Sequence, residues 1–166
     1  MPYNQQNSPS HSHSPSRESE PPTASDQTTD QTTDQTTDQT TIQLNHTVVY
    51  ASDRQLSAEF LAGILGLEVG APFGPFLPVD LGNGVTLDYY EKRDEPIQSQ
   101  HYAFLVPDAQ FDAMIARLEA VGVTYHADPS HTEPGRTNGL FGGRGAYFAD
   151  PDGHNMEILT RPYVRP

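Results

Sequence analysis

The sequence predicts an α+β domain made of two βαβββ halves related by a pseudo-twofold axis. Three observations lead there. Strand and helix patterns come twice in the same order. A histidine on the first strand of each half and a carboxylate on its last recur at matched offsets. The stretch from Gly145 to Thr160 reads as strand, tight turn, strand around Asp150-Pro151-Asp152-Gly153, where Pro presets φ and Gly is free to take positive φ.

In the first half, Ile42 to Tyr50 is β-branched and reads as a strand. Ser52 with Gln55 makes a capping box, and Leu56, Phe60 and Ile64 follow at helical spacing until Gly66 stops the helix. Three short strands complete the half: Glu68–Ala71, Leu77–Leu81 and Val85–Glu91. Pro78 marks an edge, and Gly82-Asn83-Gly84 is a turn. The second half opens with a strand at Gln100–Val106. Pro107-Asp108 then starts a helix with Phe111, Ile115 and Leu118 on one face, and Gly122 ends it. A short strand at Val123–His126, a long loop, and the pair Gly145–Ala149 and His154–Thr160 follow.

The offsets match closely. His46 lies seven residues before Asp53, and His101 seven before Asp108; Gly84 precedes Asp88 by four, as Gly153 precedes Glu157. In the closing strand Glu157 and Leu159 share one face while Met156 and Ile158 share the other. A carboxylate among apolar neighbours costs several kcal/mol unless it is paired or coordinated. Two halves packed about a twofold axis bring their first and last strands together, so His46, Asp88, His101 and Glu157 are expected around one point.

Residues 1–41 stand apart. Up to Ser25 they are mostly Ser, Pro, Gln, Glu and His, and Asp26 to Thr41 is a fourfold Asp-Gln-Thr-Thr repeat with no hydrophobic face to bury. Such a segment is expected to be disordered, leaving residues 42–166 as the single folded domain. This domain carries sixteen acidic and eight basic residues, a balance that disfavours nucleic acid and anionic membranes. The chain has no Cys, which excludes disulfides, zinc-thiolate sites and thiol nucleophiles. No apolar run approaches membrane-spanning length and the polar N-terminus lacks a signal-peptide core, so a cytoplasmic protein is expected.

Three motifs carry a resemblance: Leu44-Asn-His46, His101-Tyr-Ala-Phe104 and Tyr147-Phe-Ala-Asp-Pro-Asp-Gly-His-Asn-Met-Glu157. Together, in this order, they resemble the vicinal oxygen chelate superfamily of glyoxalases, bleomycin-resistance proteins and extradiol dioxygenases. The resemblance implies paired modules whose mixed sheet curls into a cup, with one divalent metal (Fe, Mn, Ni or Zn) at its base. It also implies a homodimer, in some members with modules exchanged between subunits.

His46, His101 and Glu157 are the metal-ligand candidates. Two imidazoles and a carboxylate leave positions open for a chelating substrate. Asp88 resembles the first-module carboxylate of glyoxalase I, one methylene shorter, and is read as a fourth ligand, with a hydrogen-bond partner of a ligand, a general base or a solvated strand residue as the alternatives; Glu157 and Asp88 are also the candidate catalytic groups. Tyr90 shares the strand face of Asp88. Tyr147 stands on either the cup or the helix side. Arg136 and Arg144, in or beside the Gly-rich loop from Asp128 to Arg144, are the available cations for a small-molecule substrate. His126 and His131 are expected to be surface histidines. The segment before Tyr147 lacks the acid-base His of extradiol dioxygenases, and Lys92 is the one lysine, where fosfomycin-resistance enzymes use a basic set. A glyoxalase-like lyase, isomerase or transferase acting on a small oxygen-chelating substrate is therefore the leading expectation, a small-molecule binding protein the alternative, and an extradiol dioxygenase the less favoured reading.

Deleting residues 1–41 is expected to shift the melting temperature by less than about 5 °C, on the order of a kcal/mol for a domain of this size. A larger drop in a thermal melt would show that the tail packs on the domain.

Overall fold

A computed structural model of the chain describes residues 42–164. The polar segment 1–41, expected to be disordered, lies outside the described residues. The strands are β1 (His46–Ala51), β2 (Phe76–Asp80), β3 (Thr86–Glu91), β4 (His101–Leu105), β5 (Tyr125–His126), β6 (Gly145–Ala149) and β7 (Asn155–Leu159). Helix α1 (Arg54–Leu65) follows β1, and α2 (Asp108–Ala120) follows β4. They form a three-stranded sheet in the order β1-β3-β2 and a four-stranded sheet in the order β4-β7-β6-β5. In each, the first strand of the half pairs in parallel with its last (β1 with β3, β4 with β7), and the remaining pairs are antiparallel. The expected α+β architecture of two βαβββ halves is present.

Two elements differ from expectation. The stretch Glu68–Ala71 makes only a single bridge, Val69 opposite Val79, with the Gly70 amide donating to the Pro78 carbonyl at 2.8 Å. Pro72 and Pro75 follow immediately and lack the N–H groups that would extend pairing. Helix α1 is capped by Asp53 rather than Ser52: its carboxylate accepts from the amides of Gln55 (2.9 Å) and Leu56 (3.0 Å). The buried face of α1 is also rotated. Ser57, Ala58, Leu61, Ala62, Ile64 and Leu65 are buried, whereas Leu56 is 55% exposed. Short side chains let the helix lie close on its sheet, so the contact face follows them rather than the largest apolar residues. At its C-terminus, Gly66 takes the left-handed conformation at φ 75°, and Arg117 of α2 donates to the Ile64 carbonyl at 3.1 Å.

One face of each sheet is packed and the other is open. Val49, Leu77, Val79, Leu87 and Tyr89 from the first sheet join Phe104, Ala146, Phe148, Met156 and Ile158 from the second in one core, with Phe111, Met114 and Leu118 of α2. Alternation then fixes the opposite faces. They carry His46, Val48, Tyr50, Thr86, Asp88 and Tyr90 on the first sheet, and His101, Ala103, Leu105, Glu157 and Tyr147 on the second. Every sequence-predicted ligand candidate is on an open face.

The turn between β6 and β7 ties the halves together. The Gly153 amide closes it onto the Asp150 carbonyl at 3.1 Å, with Gly153 at φ 80°. Asp150 Oδ1 accepts from the amides of Asp152 (3.0 Å) and His154 (2.8 Å). Burial pushes the Asp150 carboxyl above its ordinary value, and those amide bonds offset part of the rise. Asp152 reaches the first half, accepting from the Ser52 amide at 3.0 Å and the Ser57 hydroxyl at 2.8 Å. The fully buried His154 accepts from the Gln100 amide through Nδ1 (2.9 Å), so its Nε2–H donates to the Tyr50 carbonyl (2.8 Å). Asp152→Ala removes two of these bonds and is expected to destabilise the domain by about 1–3 kcal/mol in urea unfolding. No change in the unfolding midpoint would show that the turn does not hold the halves.

Candidate functional site

The two sheets present the same pair of side chains in the same register. Val48, two residues after His46, lies opposite Asp88 on β3; Ala103, two residues after His101, lies opposite Glu157 on β7. In a parallel pair this sets the imidazole and the carboxylate diagonally on one face. The residue offsets read from the sequence thus correspond to a spatial repeat.

On the second sheet the pair is in contact. His101 Nε2 stands 3.2 Å from Glu157 Oε2; the His101 side chain is 49% exposed and Glu157 only 2%. His101 Nδ1 lies 2.9 Å from the Asn155 carbonyl. A carbonyl only accepts, so Nδ1 carries a proton, and Nε2 is the ring nitrogen turned toward the carboxylate. Two ligands side by side on a metal at about 2.0–2.1 Å from it are roughly 3 Å apart, so this donor spacing suits a divalent ion. On the first sheet, His46 Nδ1 lies 2.8 Å from Asn45 Oδ1, which likewise leaves Nε2 free. His46 and Asp88 line a depression of about 400 Å³ with Val48, Phe73, Phe76 and Pro78. Tyr90 stands on the same face, its ring 6.0 Å from Tyr50 edge to face and 5.8 Å from Phe76.

The expected convergence on one point does not occur within a single chain. Among the described residues no group of three His, Cys, Asp or Glu side chains is close enough to hold a metal ion. The four candidates stand as two pairs, one per sheet.

Tyr147 faces the open side, opposite Glu157 across the β6–β7 pair, with its ring stacked on His101 at 6.2 Å. Tyr163, which sequence reasoning missed, lies just beyond β7 and donates to Glu157 Oε1 at 2.5 Å. Its oxygen is 2.8 Å from the Tyr147 hydroxyl, and since the Tyr163 proton goes to Glu157, Tyr147 is the donor in that contact. Both phenols are pushed up. Burial is the largest cause for each; for Tyr147 the bond to Tyr163 follows, and for Tyr163 the bond to Glu157. A Tyr six residues after a strand carboxylate has no sequence signature, so nothing in the chain pointed to it.

Arg144 is turned away from the site. Its guanidinium bonds Asp108 (3.0 Å) and Asp112 (2.6 Å) and lies over the Phe111 ring at 4.6 Å, on the α2 side of the sheet. Arg136 pairs with Glu133 at 3.0 Å in the loop, and Lys92 with Glu95 at 2.6 Å, above the Tyr50 ring. Nor are His126 and His131 the surface histidines expected. Half-buried, they stack in parallel at 4.4 Å, and His131 Nε2 reaches Asn155 Oδ1 at 3.0 Å. His131 takes φ 57°, uncommon for a residue with a side chain, within a loop held by Asp128. Burial raises the Asp128 carboxyl, but amide bonds from Glu133, Thr132 and Ser130 outweigh it and hold it below its ordinary value. No helix among the described residues is long and apolar enough to cross a membrane.

The fold is shared with known proteins. A glutathione transferase, FosA, from Serratia marcescens is 34% identical over 120 residues, covering 69% of this chain and 78% of that protein. The structure of the oxidase ChaP-H2 is similar at a TM-score of 0.72 and 58% identity, covering 74% of this chain and 96% of that one. The oxidase ChaP-H1 is similar at 0.73 and 51%, covering 75% and 100%. The profile of the Glyoxalase/Bleomycin resistance protein/Dioxygenase superfamily matches residues 43–158. The chain therefore belongs to that superfamily.

Proposed function

We propose that this chain is a divalent-metal-dependent oxidase acting on a small, flat substrate that chelates through adjacent oxygens. The metal is held by His46, His101 and Glu157. The observation that carries the reading is the repeated half-site: an imidazole with a free Nε2, diagonal to a carboxylate, on the open face of each sheet. Two neutral imidazoles and one carboxylate with open positions are the donor set of non-haem iron oxygenases, and they also suit Mn, Ni and Zn. A divalent ion there supplies a Lewis acid for a substrate oxygen and, where it is iron or manganese, a redox partner. The similarity at 58% identity to a protein named an oxidase supports oxidation over the lyase or isomerase chemistry expected from sequence.

The chain's own residues define the rest. Phe73, Phe76, Pro78 and Tyr90 offer an aromatic and apolar wall beside His46, fit for a planar substrate. Arg144, held by Asp108 and Asp112 on the α2 side of the sheet, takes no part in that wall. Tyr147 and Tyr163 keep their protons and line the Glu157 side with hydroxyl groups.

Because one chain presents the donors as two pairs, the third donor comes from a second copy. His46 of one subunit faces His101 and Glu157 of the other, and twofold symmetry makes two equal sites. A second reading rests on Asp88, which occupies the register position of Glu157: four donors would favour glyoxalase-like lyase or isomerase chemistry.

His46→Ala, His101→Ala and Glu157→Ala are each expected to weaken divalent-metal binding at least about tenfold in calorimetric titration, while His126→Ala keeps it. Co-folded His46→Ala and Glu157→Ala chains should recover metal in about a quarter of sites, since half of random dimers are mixed and each mixed dimer holds one intact site. No recovery would place the site within one chain. Asp88→Asn separates the two chemistries: affinity within about threefold of wild type, with dioxygen uptake in a substrate screen, supports the oxidase. A loss of about tenfold or more, with substrate turned over without oxygen uptake, supports the four-donor enzyme.

A further inference from the structure

Glu157 projects from the open face of its sheet, yet it is 2% exposed. What covers it is the segment after β7. Thr160 and Arg144 extend the β6–β7 pairing, the Arg144 amide donating to Thr160 Oγ1 at 2.9 Å and the Thr160 amide to the Arg144 carbonyl at 2.9 Å. Gly143 is pressed against Arg161, where an added Cβ would stand 2.7 Å from the Arg161 side chain. The Phe141 ring then packs on the Tyr163 ring at 4.9 Å, with Phe141 at φ 54°. A non-glycine residue in that region stores strain that its surroundings must hold. These contacts fix where the Tyr163 hydroxyl lies.

Its position divides the two oxygens of Glu157. Oε1 accepts from Tyr163, itself the acceptor of the Tyr147 hydroxyl; Oε2 faces His101 Nε2. A free carboxylate can ligate a cation through one oxygen or through both. With Oε1 occupied by a phenol proton, only Oε2 is offered on the side that His101 Nε2 faces. We propose that Tyr163 is a positioning residue: it makes Glu157 a ligand through one oxygen, and so leaves an additional coordination position for substrate. The inference rests on the metal-binding reading above. Partners that orient a ligand in this way are worth about 10–100-fold in metal affinity.

The test uses the full chain with Co(II), which reports coordination number through the intensity of its visible bands and needs no substrate. Wild type is expected to bind Co(II) with the stronger bands of a low-coordinate site. Tyr163→Phe, which removes one oxygen atom, is expected to bind about tenfold more weakly, with weaker bands as Oε1 enters the coordination sphere. Affinity within twofold and an unchanged spectrum in Tyr163→Phe overturn the inference while leaving the metal reading standing. If wild type binds no Co(II), both fall together. Should Tyr163→Phe fail to fold by circular dichroism, infrared difference spectra of wild type with and without Co(II) decide. Widely split carboxylate stretches support a one-oxygen ligand, and closely spaced ones overturn it.

Discussion

The bonds from the Asp150–His154 turn to the first half are the constraint on which the rest of this domain depends. Each half alone is a small sheet with one helix, a size at which burial on folding leaves stability marginal. The turn joins them through polar groups that cannot be left unmade: a buried imidazole with both nitrogens engaged, and a carboxylate that holds the Ser52 amide and the Ser57 hydroxyl. The motif carrying the family resemblance is thus largely architectural. Of its residues, Tyr147 and Glu157 face the open side, while Asp152 and His154 bind the first half to the second and Asp150 holds the turn that carries them.

That join sets what the open faces can do. The helices and the packed faces of both sheets share one core, so neither sheet can turn its open face inward without giving up that core. The parallel pairings then place a histidine and a carboxylate on each open face, in one register. Two donors form a weak site for a divalent ion; three or four are what such ions ordinarily take from a protein. In a symmetric dimer that joins half-sites, metal affinity and subunit affinity become linked, since any ion bound only by the dimer stabilises it by mass action.

Much of this was legible in the sequence, for identifiable reasons. Period-two alternation placed Met156 and Ile158 in the core and Glu157 opposite them, and the matched offsets of His46 and His101 reappear as matched register. The α1 face was misread because Ser57, Ala58 and Ala62 carry the contact, and small residues give little periodic signal. Ser52 looked like the cap because a capping box is a local pattern; Asp53 caps instead, and the Ser52 amide is taken by Asp152, a hundred residues away. Arg144 went astray for a similar reason. A cation in a Gly-rich loop resembles a substrate contact until the fold brings Asp108 and Asp112 beside it. Long-range polar partners leave no mark in a single sequence.

The burial of Glu157 is the hardest feature to explain by stability alone. A carboxylate 2% exposed, flanked by Met156 and Ile158, costs several kcal/mol to desolvate, and its neighbours are two phenols and an imidazole rather than a lysine or arginine. An apolar residue of like size would fit the strand pattern with no such cost. Polar groups kept at a core's edge against that gradient are where sequence rules fail for functional reasons. What the surroundings do supply is orientation: one oxygen held by Tyr163, the other beside a histidine whose proton is fixed on its far nitrogen by Asn155. The carboxylate is thus held in one orientation by its neighbours, with Oε2 turned toward the one group beside it able to carry a positive charge, the His101 imidazole.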